Sequence, residues 1–118
     1  MKLSKVKELL DAEVLCCPEK LETEVLSACG SDMMSDVLAF VKDQSILLTG
    51  LLNPQTVRTA QMMDMKCIVF VRGKKPEDNV VELAEENDIV VMATEYRLYT
   101  ACGRLYANGL FSEGVDKV

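Results

Sequence analysis

Three residue pairs carry the clearest chemical potential in this chain: Thr49-Gly50, Arg72-Gly73 and Thr94-Glu95. Each closes or follows an apolar run, at 45–49, 66–71 and 89–94. Each precedes a stretch with helical character, at 54–64, 77–87 and 95–108. A hydroxyl or a small residue at a strand end, ahead of a helix with free first-turn N–H groups, suits an anion. Arg72 would add a charge-assisted contact. The same residue types also cap helices and turn corners in any α/β fold. No Walker A loop, GxGxxG or other phosphate motif accompanies them. The chemistry they suggest is recognition of an anionic ligand by an unspecialised site.

Other candidate groups are weaker. Cys16-Cys17 is a vicinal pair, and Cys29 ends the next expected strand. Were the three thiols close together, they could bind a soft metal or exchange disulfides. No CxxC occurs and histidine is absent, so a mixed zinc site lacks its ligands and imidazole catalysis is excluded. Cys67 and Cys102 fit as small apolar residues inside a strand and a helix. Glu77, Asp78, Glu82, Glu85 and Glu86 read as the solvated face of one helix. Ser31 and Ser35 lack a base partner. Arg72, Lys74 and Lys75 form the one basic cluster, and the turn chemistry of Gly73 and Pro76 reads it as a solvated loop.

The elements that must position these groups follow from periodicity. The strand-then-helix rhythm predicts a parallel sheet with crossover helices, whose strand C-termini share one edge. Asn53-Pro54 is a strong helix start, Pro76 predicts another, and Thr94 is expected to cap the last helix, which Gly109 closes as its C′ residue. Upstream, Ser4 is expected to cap a helix to about Asp11, with Val6, Leu9 and Leu10 inward. Strands are expected at 13–17 and 24–29. Ser31 or Asp32 should cap a helix to about Lys42, with Met33, Val37, Phe40 and Val41 buried, and 43–45 as a turn. The acidic Asp32 and Asp36 at its start favour the helix dipole.

The chain has 118 residues, enough for one domain with a real core. It is 49% hydrophobic and 27% charged, as ordinary globular chains are. A net charge of -6 argues against nucleic acid or an anionic membrane as the main partner. No signal-peptide pattern or bilayer-length apolar run occurs, so a cytoplasmic protein is expected, and five cysteines without a framework agree with a reducing compartment. The seven methionines, with aromatics at only 5%, suggest that some apolar faces are shared between subunits, and a homodimer is the expected form.

The run from Gly30 through Ser31, Asp32, Met33, Met34, Ser35, Asp36 and Val37 resembles the DRTGG domain. So do Thr49-Gly50 with Asn53 to Val57, the closing stretch from Thr94 to Tyr106, and the opening helix followed by Glu13 to Cys16. The resemblance covers residues 1–110, with 111–118 as a polar tail. It implies an α/β layer fold like the N-terminal domain of HPr kinase/phosphorylase, in a regulatory or dimer-forming role without catalysis. Asp36, Thr49, Gly50, Thr94 and Gly103 match its recurrent positions. The expected function is therefore a non-enzymatic regulatory or interaction domain with no cofactor. It would sense a nucleotide or phosphorylated small molecule at the strand edge through Asp36, Thr49, Gly50, Arg72 and Thr94. The alternatives are a thiol-based metal or redox protein using Cys16, Cys17 and Cys29, and a purely structural dimerisation module.

Overall fold

Three short apolar runs, each buried along its whole length, form the middle of a five-stranded sheet: β3 (Ile46–Thr49), β4 (Cys67–Phe70) and β5 (Val90–Ala93). Continuous burial, without apolar/polar alternation, is what a parallel sheet covered on both faces requires. The computed structural model describes residues 1–40 and 45–112, with the side chain of Phe40 excepted. The strand order is β1-β5-β4-β3-β2. The edge strand β2 (Ala28–Gly30) runs parallel to β3, whereas β1 (Glu13–Cys16) runs antiparallel to β5. The expected mainly parallel sheet flanked by helices is the fold observed.

The helices are α1 (Leu3–Leu10), α2 (Met34–Phe40), α3 (Pro54–Met62), α4 (Asp78–Glu86) and α5 (Leu98–Ala107). From β2 to β5 the chain advances one strand at a time in one direction. Right-handed crossovers then place α2, α3 and α4 side by side on one face. Helices α1 and α5 pack together on the other. The loops after β4 and β5 therefore lead to opposite faces and part at the strand C-termini, where open α/β sheets receive ligands.

Helix boundaries follow their caps. Asn53 caps α3 by accepting the Gln55 N–H at 3.0 Å, with Pro54 in the first turn, as expected. Pro76 instead stands one residue before the α4 N-cap, Glu77. Ser4 does not cap α1: the N-cap is Lys2, and the Leu3 and Ser4 N–H groups bond to the Thr23 and Leu21 carbonyls. Those same pairings shorten the second strand. Residues 22–25 are engaged by the N-terminus, with Val25 N–H on the Met1 carbonyl, so β2 starts only at Ala28. In α2 the inward residues are Met34 and Val37, while Met33 is 59% exposed, because the helix starts at Met34 rather than at Asp32. Val41, Lys42 and the expected turn at 43–44 lie outside the described residues. Gly109 follows the α5 C-cap with φ 99°, and the Leu110 N–H closes on the Leu105 carbonyl at 3.0 Å.

Helices α3 and α4 end in the same hydrogen-bonded turn, yet the left-handed C′ residue is an aspartate: Asp64 (φ 54°) and Asp88 (φ 59°). A residue with a Cβ is strained there, and a negative charge opposes the helix dipole. Their ion pairs, with Lys66 and Lys20 at 3.9 Å, are too exposed to offset this. Asp64→Gly and Asp88→Gly are each expected to stabilise the fold by about 0.5–1 kcal/mol after glycine's entropic cost. Urea denaturation with an unchanged m-value is the check.

Candidate functional site

Three of the five expected site residues, Thr49, Gly50 and Arg72, converge on a carboxylate whose place in the sequence reads as a helix cap. Asp32 stands in the loop between β2 and α2. Its Oδ1 accepts the Gly50 N–H at 2.7 Å and the Thr49 hydroxyl at 3.1 Å. Its Oδ2 accepts from the Arg72 guanidinium at 3.1 Å. The Gly50 N–H is the largest influence holding its carboxyl below the ordinary carboxylate range, followed by the Thr49 hydroxyl and Arg72, against some desolvation. Ends of three neighbouring strands therefore meet on one anionic group.

Backbone geometry enforces the arrangement. Gly50 lies directly beneath Arg72, and a Cβ there would coincide with the guanidinium. Thr49 turns its own loop by accepting the Leu51 N–H at 3.1 Å. Arg72 and Gly73 are both left-handed, at φ 68° and 71°. Their N–H groups bond to the Tyr96 carbonyl at 2.8 Å and the Thr94 carbonyl at 2.9 Å, lacing the parting loops together. A side chain at Gly73 would run into the Glu95 carboxylate.

Thr94 plays a different part from the expected one. It is not the α5 cap, since that helix begins at Leu98 with Arg97 as N-cap. Its buried hydroxyl donates to the Leu10 carbonyl at 2.6 Å and accepts from the Tyr96 N–H at 3.3 Å. This completes the C-terminus of α1. The Lys7 and Glu8 carbonyls are taken by the Ala12 and Asp11 N–H groups, Leu9 by Arg104 Nε at 2.7 Å, and Leu10 by Thr94. All four carbonyls that a helix end leaves open are thus satisfied. Arg104, over the Tyr96 ring at 4.9 Å, is a residue for which sequence reasoning named no role.

Asp36 does not join the cluster. It is exposed in the first turn of α2, and the loop-pinning carboxylate is Asp32. Arg72 is paired with Asp32, and Lys75 with Glu13 at 2.7 Å, so most of the basic loop is internally engaged. An open cleft of about 550 Å³ beside the cluster is lined by Arg72, Glu95, Arg97, Leu98 and Tyr99. Tyr99 is 91% exposed.

The three thiols of the alternative metal or redox reading do not converge. Cys16 and Cys17 lie at the end of β1 and Cys29 on β2, which are opposite edges of the sheet. Strands adjacent in sequence are not adjacent in the sheet, because β1 pairs with the last strand. Among the described residues no group of three Cys, Asp or Glu is placed to hold a metal. Desolvation pushes the Cys16 and Cys29 thiols up to about 12, and raises Cys17, Cys67 and Cys102 as well. Ellman's reagent at pH 7.5 is expected to label the native protein slowly and all five cysteines promptly in denaturant. Fast labelling of the native protein would contradict that inertness.

A family model described as the DRTGG domain matches residues 5–107. No curated protein matches the sequence. Among solved structures, the fold is similar to the CBS and DRTGG domains of the regulatory region of Clostridium perfringens pyrophosphatase, complexed with the activator diadenosine tetraphosphate. The TM-score is 0.73 at 20% identity, covering 88% of this chain and 45% of that one, so this chain spans less than half of its length.

Proposed function

The chain belongs to the DRTGG domain family, and from that premise we propose that it is a non-enzymatic regulatory domain that binds a nucleotide or another phosphorylated anion at the strand C-terminal edge. One observation carries the reading: the Gly50 N–H, the Thr49 hydroxyl and the Arg72 guanidinium already surround an anionic group, the Asp32 carboxylate. A phosphate group is likewise anionic and accepts hydrogen bonds through its oxygens, and can take the carboxylate's place on Arg72 and Gly50. Arg97 at the adjoining cleft adds positive charge, and the exposed Tyr99 ring offers a stacking surface for a base. Thr94, its hydroxyl held by Leu10, acts by fixing the loop. The nucleotide activator of the structurally similar regulatory region supports the choice of ligand class.

The test is a thermal-shift titration with diadenosine tetraphosphate, ATP, AMP and inorganic phosphate. A ligand at one hundred times its Kd stabilises the folded state by about 2.7 kcal/mol. The reading expects a saturable shift with at least one of the nucleotides. Arg72→Ala should abolish it and Arg72→Lys should weaken it. A shift unaffected by Arg72→Ala, or no shift from any compound, would overturn the assignment.

A second reading, a homodimerisation module, has its own observation. The outer face of α5 carries Tyr99 and the 45%-exposed Tyr106 on either side of Gly103, above which there is open space. A stable dimer by light scattering, disrupted by Gly103→Glu and unresponsive to every nucleotide, would favour it.

A further inference from the structure

A carboxylate stands inside the cleft that the proposed function gives to an anion. Glu95, the second residue after β5, lines the 550 Å³ cleft together with Arg72, Arg97, Leu98 and Tyr99. Its side chain lies against the Arg72-Gly73 turn, at the place a Cβ on Gly73 would occupy. The backbone around it is held from both sides. The Arg72 and Gly73 N–H groups bond to the Tyr96 and Thr94 carbonyls, and the Thr94 hydroxyl accepts the Tyr96 N–H at 3.3 Å. The side chain itself is exposed, and among the described residues no ion pair or hydrogen bond uses its carboxylate. Lys75, on which its charge acts, is bonded to Glu13 instead at 2.7 Å.

This arrangement is a poor one for bare phosphate. Arg72 already faces Asp32, so Arg97 is the uncompensated cation of the cleft, and Glu95 offsets it. A like charge beside an incoming phosphate repels it. The same carboxylate is an asset only where the ligand also carries donors, because an ionised carboxylate accepts hydrogen bonds and donates none. The cleft also falls within the roughly 300–1,000 Å³ of a cofactor-sized site, far more than one phosphate fills.

We propose that Glu95 is a specificity-determining residue that accepts hydrogen bonds from the ribose 2′- and 3′-hydroxyls, and so selects ribonucleotides over phosphate-only ligands and over nucleotides without the diol. The inference rests on the anion-site reading above and goes beyond it in naming the sugar. A phosphate on Arg72 and a base against Tyr99 leave the ribose along the cleft wall that Glu95 forms. The two carboxylate oxygens match the two adjacent O–H donors of the diol. Acidic side chains read ribose hydroxyls in the same way in other nucleotide-binding α/β folds. Leu98, partly buried against the core, supplies an apolar wall to the cleft.

The test is calorimetric titration of the full chain with ATP, 2′,3′-dideoxy-ATP and inorganic tripolyphosphate, in a chelator so that no cation bridges ligand and carboxylate. Wild type is expected to bind ATP at least about tenfold more tightly than either other compound, the scale of hydrogen bonds to a charged acceptor. In Glu95→Gln the preference for ATP over the dideoxy compound should shrink to about threefold or less, while tripolyphosphate binds more tightly because the like charge is gone. Opposite changes for two ligands are something a merely structural role does not produce. If Glu95→Gln fails to fold, Glu95→Asp, which keeps the charge and withdraws the oxygens by one methylene, decides by the same ratio. Equal binding of ATP and the dideoxy compound to wild type, or a preference that persists in the variant, overturns the role of Glu95 and leaves the Arg72 site standing. So does a loss of tripolyphosphate affinity equal to the loss for ATP. Failure of all three compounds to bind wild type overturns the anion site itself, and the sugar contact with it.

Discussion

Thr94→Val is expected to destabilise the protein by about 2 kcal/mol, because it leaves a buried carbonyl without a donor. The substitution nearly preserves shape and removes only the hydroxyl. That hydroxyl donates to the Leu10 carbonyl at the end of α1, and it also receives the Tyr96 N–H. The Leu10 carbonyl then faces the interior unpaired, which costs more than the bond itself gained. For a chain of this size the melting temperature should fall by roughly 8 °C, at about 4 °C per kcal/mol. Thr94→Ser keeps the hydrogen bonds and gives up a methyl group, so it should cost about 0.8 kcal/mol. Equilibrium unfolding gives the order valine below serine below wild type. The valine variant should also speed amide exchange at Tyr96 and in the last turn of α1. If valine and serine variants are equally stable, the hydroxyl has no structural part, and Thr94 returns to being a ligand candidate.

How much of this was legible in the sequence depends on the range of each interaction. β3, β4 and β5 were legible because full burial leaves an uninterrupted apolar run, and Asn53-Pro54 because a cap is a local event. Thr49, Gly50 and Arg72 were legible as strand-end residues, since the βα rhythm places every strand C-terminus on one edge. Asp32 was not. A carboxylate before a helical stretch reads as a cap, but its partners lie 17, 18 and 40 residues away and outcompete the helix N-terminus. One signal was available: Asp32 follows Gly30 at the end of β2, the same edge position that Thr49, Gly50 and Arg72 occupy on their strands. Thr94 has its partner 84 residues away, on a helix whose docking no local pattern encodes. The thiol alternative fails for a topological reason. Strands consecutive in the chain read as neighbours, whereas β1 and β2 bound the sheet on opposite sides.

The Asp32 cluster predicts two effects of opposite sign from one substitution. Asp32→Asn keeps the size of the side chain and an acceptor for the Gly50 N–H but removes the charge that Arg72 faces. Both members of the pair are more than two-fifths exposed, so solvent screens the loss, and about 1 kcal/mol is expected at pH 7. The pH dependence follows from the direction of the shift. The folded-state carboxyl is held below its unfolded value, so the charged form stabilises the fold above about pH 4. That contribution is lost as pH falls through the lower folded value. Wild type and Asp32→Asn should therefore differ most at neutral pH and converge in acid. A constant gap down to pH 2 would show that the asparagine variant perturbs packing and not charge. Ligand affinity should move the other way. In the wild-type protein an incoming phosphate must displace Asp32 from Arg72, and the asparagine variant removes that competitor. Nucleotide binding should tighten severalfold in a protein that is less stable, a combination that general destabilisation does not produce. Weaker binding in Asp32→Asn would mean that the carboxylate positions Arg72 for the ligand. The exchange of anions would then be wrong even if Arg72 remained essential.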